Sequence, residues 1–130
     1  MKPDAVAAGK AGEILAHLEG AGFQLESLRM LRLSQAQAEA FYDVHRERPF
    51  YGSLVSFMTS GPCIPVVLSA DGAVRRLREV IGATDPAEAA AGTIRQRFAE
   101  SKERNAIHAS DSDENAEIEI SFFFAQSGML

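Results

Sequence analysis

The spacing of apolar residues changes several times along this chain, between a helical pattern and a strand pattern. Within residues 10–20, Ile14, Leu15 and Leu18 recur at helical spacing, and glycines at positions 20 and 22 end the helix. Residues 23–33 alternate apolar side chains and predict a strand, with deviations that suggest both of its faces are covered. The chain therefore contains both kinds of element in close succession.

The same reading continues to the end of the chain. It predicts a loop over residues 1–9, a helix capped by Ser34 that runs to His45, and a helix with Pro49 in its first turn. A strand over 65–69 and a helix over 74–81 closed by Gly82 follow. The remaining chain is predicted as a long irregular segment over 84–105, a short strand over 106–108 and a final helix capped by Ser112. Because helices and strands are interleaved but the strands are few, we expect a small antiparallel α/β sandwich. The length of 130 residues fits one domain over residues 1–130.

Composition and charge exclude several classes of protein. Hydrophobic residues make up 46% and charged residues 24%, which is typical of a chain with a packed core. The formal charge of −5 disfavours general nucleic-acid binding, although a few convergent basic groups can still bind a small anion. Cys63 is single and lies in an apolar stretch, so we expect a buried thiol. Neither a membrane span nor a secretion signal is apparent, so we expect a cytosolic (cytoplasmic) location.

The segment Asn105 to Ser112, with the sequence NAIHASDS, has the strongest chemical character in the chain. Phosphate-binding glycine-rich loops, zinc-protease motifs and hydrolase nucleophile motifs are missing, and His17, His45 and His108 are too scattered to predict a metal site. His108 lies among small and polar residues on a predicted turn, which favours an accessible ring. A largely neutral imidazole can accept a phosphoryl group. The alternative is a surface histidine, or a core histidine held by hydrogen bonds.

This segment is similar to the active-site signature N-x-x-H-G-S-D-S of the nucleoside diphosphate kinases. Four further stretches resemble the same family in the same order: KPDAV at 2–6, HRERPFY at 45–51, FMTSGP at 57–62, and GATDP followed by GTIRQRF within 82–98. The resemblance covers essentially the whole chain. It implies a ferredoxin-like βαββαβ fold, with an antiparallel sheet covered by helices.

The resemblance also implies roles for the catalytic residues. His108 would become phosphohistidine, Glu119 would orient its ring, and Ser110 would bond to the Glu119 carboxylate. Tyr42 would stand beside the histidine. From the residues alone, Glu119 could equally belong to a solvated helix face, Ser110 could be a turn or capping hydroxyl, and Tyr42 could pack in the core.

Nucleotide-binding roles follow from the same resemblance. The residues that would hold the phosphates are Lys2, Arg78, Thr84 and Arg95, with His45 near the inner phosphates. Asn105 and Lys2 would reach the sugar 3′-hydroxyl, and Phe50 would stack on the base. Taken singly, each arginine is more often a surface charge, His45 an exposed helix residue and Phe50 a core residue. Arg78, beside Arg75 and Arg76, is not singled out by the sequence alone.

The family activity implies ATP and other nucleoside di- and triphosphates as substrates. Mg²⁺ would be bound mainly through the nucleotide phosphates and not by a protein metal site. A homo-oligomer, either a tetramer or a hexamer, is implied as well. Membrane and nucleic-acid partners are not expected.

Three departures from the family pattern stand out. Ala109 replaces the usual glycine, and Lys102 replaces an aliphatic residue that would face Phe50 across the base. In addition, the family has a central strand of about seven to ten residues before Lys-Pro-Asp, whereas here Met1 directly precedes Lys2. We therefore expect the first strand to be missing or truncated, with its two neighbours unpaired. This leaves an alternative function, a catalytically impaired nucleotide-binding or regulatory module.

Overall fold

The computed structural model describes residues 1–124, and its regular elements alternate between helix and strand. The helices are α1 Pro3–Ala7, α2 Ala11–Gly20, α3 Gln35–Phe41, α4 Tyr51–Met58, α5 Ala73–Ile81, α6 Ile94–Phe98 and α7 Asp113–Phe123. The strands are β1 Gln24–Leu28 and β2 Val66–Ser69, and a short 3-10 helix spans Asp43–His45. No helix in the described range combines the length and apolar character needed to cross a membrane.

The two strands pair antiparallel, with Leu25 opposite Leu68 and Leu28 opposite Val66. A register shift between Leu25 and Ser27 interrupts the ladder. The strand predicted over 23–33 is therefore shorter than expected, and beyond Leu28 only an isolated bridge joins Leu31 to Cys63. The small antiparallel sheet with its helices is an α/β arrangement of the ferredoxin-like class.

Two of the predicted helix starts are confirmed by capping geometry. Ser34 accepts a hydrogen bond from the backbone of Gln37, and the Gln37 side chain accepts one from the backbone of Ser34, forming a capping box. Ser112 accepts a bond from the backbone of Asn115 and starts α7. Because α7 starts there, Glu119 lies two turns into the helix and on the side toward His108.

Two clusters of buried residues form the core. One contains Ile14, Leu18, Ile81 and Ile94, which are almost fully buried, and joins α2, α5 and α6. The other surrounds Tyr42 and joins α3 to α4. Cys63 is a buried free thiol, as predicted. The segment Ala106, Ile107 and Ala109 belongs to the first cluster, so the chain on both sides of His108 is anchored in the core.

Several sequence predictions of local structure are wrong. Pro49 is not in the first turn of α4, which begins at Tyr51. Residues 1–9 are not a loop, because Pro3 starts the short helix α1. Residues 84–105 are not uniformly irregular, because the Thr93 hydroxyl accepts a hydrogen bond from the Gln96 backbone N–H and caps α6. Residues 106–108 do not form a strand, since Ala106 has a φ of 75° and leaves extended geometry.

Candidate active site

His108 lies at the centre of a short chain of side-chain hydrogen bonds. Its Nε2 is 2.9 Å from Oε1 of Glu119, and the hydroxyl of Ser110 donates to the same oxygen at 2.6 Å. The His108 side chain keeps 39% of its surface exposed and Glu119 keeps 26%. The imidazole is thus fixed at one nitrogen while its other edge remains accessible.

The partner of Nε2 determines which nitrogen is free to react. Burial would raise the pKa of Glu119, but hydrogen bonds from His108 and Ser110 outweigh it and hold that pKa below its ordinary value. Ionised Glu119 can only accept, so a neutral His108 carries its proton on Nε2. Nδ1 then presents a lone pair and is the nucleophilic atom of the ring.

Aromatic rings restrict the position of the imidazole. Phe41 meets the His108 ring edge-to-face, with centroids 5.4 Å apart, and Tyr42 does so at 6.4 Å. The Tyr42 hydroxyl is buried and has no partner within residues 1–124. Burial, and secondarily the charge of Glu119, raises the pKa of Tyr42 far above its ordinary value. Tyr42 therefore remains a neutral donor that faces the site.

A cavity of about 890 Å³ opens beside His108, a volume typical of small-molecule sites. The cavity wall contains nearly all of the residues that the sequence singled out: Lys2, Tyr42, His45, Phe50, Arg78, Thr84, Arg95, Asn105, His108 and Glu119. Ser110 does not line this cavity and reaches it only through its bond to Glu119. Residues from both ends of the chain and from its middle therefore meet in one place.

Several basic side chains line this cavity, and two of them, Arg95 and Lys2, are largely buried. Arg95 is buried and donates to the carbonyl oxygens of Gly82 at 3.1 Å and Ile107 at 2.7 Å, while its Nε has no partner within the described range. Burial, followed by repulsion from Arg78, lowers the pKa of Arg95 to about 10. Burial, followed by repulsion from Arg95, lowers the pKa of Lys2 to about 8. Such mutual repulsion is relieved when an anion binds between the cations.

The structure distinguishes the three arginines of α5. Arg75 pairs with Glu79 at 3.5 Å on the surface, and Arg76 donates to the carbonyl of Ala21 at 2.8 Å. Arg78 points toward the cavity and donates to the carbonyl of Ala109 at 3.3 Å. Among these three, Arg78 alone can reach a ligand next to His108.

The cavity also contains polar and aromatic groups suited to a nucleoside. The Asn105 side chain is buried and donates to the carbonyl of Thr84 at 3.2 Å, while its side-chain oxygen has no partner among residues 1–124. Phe50 is 45% exposed, so it is not the core residue that its spacing also allowed. The ring of His45 lies 5.4 Å from that of Phe50, and Lys102 lines the same cavity.

Asp4 is a residue of the site to which the sequence reasoning gave no role. Its Oδ2 accepts a hydrogen bond from the Ala106 backbone N–H at 3.0 Å, and the Lys2 backbone N–H donates to Ala106 O at 2.9 Å. Both bonds hold a non-glycine residue with positive φ, two positions before His108. Sequence spacing gives no signal of this contact, because it joins positions more than a hundred residues apart.

Within residues 1–124, no three acidic, histidine or cysteine side chains are grouped as a protein metal site would require. Asp111 is the acidic residue that lines the cavity one position after Ser110. A hydrogen bond from Asn115 lowers the pKa of Asp111. This donor set suits a cation that takes most of its ligands from phosphate oxygens and water.

Comparison with known proteins gives a consistent result. A family model described as nucleoside diphosphate kinase matches residues 1–129. A nucleoside diphosphate kinase of Halorhodospira halophila is 58% identical over 124 residues, which cover 95% of this chain and 88% of that protein. One from Methylobacterium sp. (strain 4-46) is 55% identical over 130 residues, which cover 100% of this chain and 93% of that protein.

Solved structures agree with the sequence comparison. The nucleoside diphosphate kinase of Aquifex aeolicus superimposes with a TM-score of 0.96 at 47% identity, covering 99% of this chain and 94% of that one. The halophilic nucleoside diphosphate kinase of Halobacterium salinarum, solved in complex with CDP, superimposes with a TM-score of 0.94 at 37% identity. That match covers 99% of this chain and 86% of the Halobacterium protein.

Proposed function

Since the chain belongs to the nucleoside diphosphate kinase family, we propose that it transfers the γ-phosphate of a nucleoside triphosphate, usually ATP, to a nucleoside diphosphate through a phosphohistidine on His108. The family assignment makes the protein a phosphotransferase. The observation that carries the role of His108 is its Nε2–Glu119 bond of 2.9 Å beside a cavity rich in basic residues. That bond commits one ring nitrogen and leaves the other for phosphorus.

In the first half-reaction the lone pair of Nδ1 attacks the γ-phosphorus. The bond between that phosphorus and the bridging oxygen breaks, and the nucleoside diphosphate leaves with the electron pair. Positive charge develops on the ring as the new bond forms. The Glu119 carboxylate stabilises this charge, while Ser110 holds the carboxylate in place.

In the second half-reaction a different nucleoside diphosphate occupies the same cavity. An oxygen of its terminal phosphate attacks the phosphorus, the P–N bond breaks, and the electron pair returns to Nδ1. Lys2, Arg78 and Arg95 bind the phosphate oxygens in both halves, because they line the cavity together with His108 and an anion relieves the repulsion among them. One site serves both nucleotides in turn, which gives ping-pong kinetics.

The rest of the cavity would hold the nucleoside. Asn105, whose side-chain oxygen has no partner within residues 1–124, would bind the sugar 3′-hydroxyl together with Lys2. Thr84 and His45 would contact the phosphates, and Phe50 would stack on the base. Because stacking uses the face that every base has, it gives broad tolerance of the nucleobase.

Mg²⁺ would reach the site with the nucleotide, held mainly by phosphate oxygens and water, with Asp111 as the nearby cavity carboxylate. When bound, the ion reduces the negative charge of the transferring phosphates. The residues described above bind, orient and release the nucleotide around it. Homo-oligomerisation to a tetramer or hexamer is part of the proposal by analogy with the family. The similarity supports an active kinase over a catalytically impaired module.

The test is an intact-mass measurement after brief incubation with Mg-ATP. We expect a gain of one phosphoryl group that is lost in acid, transferred to added GDP, and absent in His108→Ala. His17→Ala is the matched control, because His17 contacts Arg97 on the surface away from the cavity. A folded, nucleotide-binding protein that gains no phosphate, or that gains it equally in His108→Ala, would contradict the mechanism.

A further inference from the structure

A row of aromatic rings along the large cavity connects His108 to Phe50. The Tyr42 ring lies 6.4 Å from the His108 ring, centroid to centroid. The His45 ring lies 6.4 Å from that of Tyr42 and 5.4 Å from that of Phe50. All four side chains line the cavity. A nucleotide whose phosphates lie at His108 can therefore extend along this row and place its base on the Phe50 ring.

A tight turn over residues 100–104 forms another part of the cavity wall. The backbone N–H groups of Glu100 and Ser101 both donate to Arg104 O, at 2.8 and 3.3 Å. The Ser101 hydroxyl accepts from the Arg104 N–H at 3.0 Å, and Arg104 Nε donates to the Glu100 carboxylate at 3.0 Å. These bonds fix the backbone of the turn. Lys102 lies at its middle and lines the cavity.

Two side-chain contacts fasten this turn to helix α4. The Ser53 hydroxyl lies 2.8 and 3.0 Å from the two carboxylate oxygens of Glu103 and donates to that group. The guanidinium of Arg104 lies over the Phe57 ring, 5.2 Å from its centroid. Phe50 is the N-cap of α4, and its spacing to Ser53 and on to Phe57 places all three on one side of the helix. The turn therefore lies along the helix face that begins at Phe50.

The charge of Lys102 is not used by the protein within the described range. Its side chain is exposed, and among residues 1–124 no carboxylate lies within ion-pair distance of its ammonium. Arg78 and Arg95, in contrast, donate to the carbonyl groups directly after and directly before His108. The cations for the phosphates are thus held beside His108, whereas the turn places Lys102 beside Phe50, where the base lies.

We propose that Lys102 determines which bases this site prefers. Its methylene stem covers the face of the base that Phe50 leaves open, and its ammonium donates to an oxo group on the edge of the base. The preferred bases are those with such an oxo group, which is O6 in guanine and hypoxanthine and O4 in uracil and thymine. This inference rests on the proposed function, because it requires a nucleoside diphosphate in the cavity.

The chemistry of an ammonium group explains this preference. A lysine ammonium has three N–H donors and no acceptor. Guanine presents O6 and N7 as two adjacent acceptors, whereas adenine presents a donating amino group beside N7. In the same way O4 of uracil and thymine accepts, while the amino group of cytosine donates. The ammonium is therefore attracted to the oxo member of each pair and gains no bond from the amino member.

The preference is modest because Lys102 is exposed. A charge-assisted hydrogen bond is stronger than a neutral one, but solvent screens an exposed charge, and ordering a flexible side chain costs entropy. We expect inosine diphosphate to bind about three- to fivefold more tightly than adenosine diphosphate, and uridine diphosphate to exceed cytidine diphosphate by a similar factor. Stacking on Phe50 still binds all four bases.

Isothermal titration calorimetry of the full chain with these four diphosphates and Mg²⁺ tests the preference. Within each pair the two bases differ only at the edge that carries the oxo or amino group. Lys102→Met keeps an unbranched apolar stem without the charge, so both preferences should disappear. Lys102→Arg keeps a donor and should retain them. Lys10→Met is the control, because Lys10 pairs with Glu13 on an exposed helix face.

Equal affinities within each pair for the wild type, or unchanged preferences in Lys102→Met, would overturn the inference. A uniform loss of affinity for all four diphosphates in Lys102→Met would assign the lysine to the phosphates and overturn it as well. Diphosphates carry no γ-phosphate, so the measurement is independent of phosphohistidine formation. A chain that shows the base preference but gains no phosphate on His108 contradicts only the proposed function. A chain that is phosphorylated but binds both members of each pair equally contradicts only this inference.

Discussion

The carboxylate of Asp4 lies 3.0 Å from the backbone N–H of Ala106 and helps to hold that residue at a φ of 75°. A non-glycine residue in this region costs about 1 to 2 kcal/mol, so the contact maintains a strained turn directly before His108, the proposed nucleophile. Asp4 is buried, and its Oδ1 has no partner within the described range. Asp4 does not line the cavity, and its contact with the segment before His108 is made to the backbone.

Replacing Asp4 by alanine should therefore lower both stability and turnover. The buried N–H of Ala106 would lose its acceptor, at a cost of about 1 to 3 kcal/mol. We expect kcat to fall while KM changes less, since the shift acts on the reacting ring. Asp4→Asn retains an acceptor oxygen and should recover most of both losses. The exposed Asp71→Ala is the control, and urea unfolding with steady-state kinetics provides the measurements.

Glu119→Gln should lower kcat by about 10- to 100-fold, by analogy with the loss seen when the carboxylate partner of a metal-bound histidine is altered. The neutral amide can still accept from Nε2, but it cannot stabilise the positive charge that develops on the ring. Glu117, on the same helix and exposed, provides the control Glu117→Gln. Single-turnover phosphorylation measures the effect. Equal rates in the two variants would show that the carboxylate charge is not used.

The lowered pKa of Lys2 predicts that stability and nucleotide binding change with pH in a range where ordinary lysines stay charged. Burial lowers its pKa to about 8 from 10.5, so the unfolded chain holds this proton more tightly than the folded one. Stability should therefore rise as the pH increases from about 8 toward 10.5, as the buried charge is lost. Phosphate binding needs the charged form, so KM for nucleotides should rise over the same range.

Unfolding measurements from pH 7 to 10 on the wild type and on Lys2→Met test this directly. The methionine variant lacks the buried charge, so its stability should change less with pH in this range. A stability that falls equally in both proteins above pH 8 would contradict the shift at Lys2. The control for surface lysines is Lys10→Met, because Lys10 pairs with Glu13 on an exposed helix face.

Much of the fold follows from local patterns, and the parts that do not are set by distant contacts. Helix α2 and the caps at Ser34 and Ser112 were predictable because periodicity and capping act within a few residues. The strand predicted over 106–108 is absent because Asp4 and Lys2 fix Ala106 in a turn from the other end of the chain. No pattern within the segment itself encodes that contact.

In the candidate site, too, some features follow from the local sequence and others are set by distant contacts. The accessibility of His108 follows from its small and polar neighbours, and the family resemblance supplied the identity of its partners. Which of the α5 arginines faces the cavity depends on Ala109 O, which accepts from Arg78, whereas Arg76 is occupied by Ala21. The repulsion between Lys2 and Arg95 likewise exists only after folding brings them together.

The backbone carbonyl of Gly82 accepts a hydrogen bond from Arg95, and substitution of Gly82 tests how tightly the chain around it is packed. It has a φ of 88°, and a Cβ at this position would lie 2.5 Å from Oγ1 of Thr93, the residue that caps α6. Gly82→Ala should therefore destabilise the protein by about 2 to 4 kcal/mol through strain and overpacking. Because Gly82 O accepts from Arg95 at 3.1 Å, KM for nucleotides should rise as well.

Gly12→Ala is the matched control for this substitution. Gly12 lies in α2 with nothing within 4 Å of its hypothetical Cβ, so alanine there should stabilise by about 0.5 to 1 kcal/mol. Unfolding in urea gives both stability changes, and steady-state kinetics gives KM. A Gly82→Ala protein as stable as wild type, with unchanged KM, would show that Thr93 can move without disturbing Arg95. The opposite signs expected for the two glycines arise from their surroundings, since the chemical change is the same.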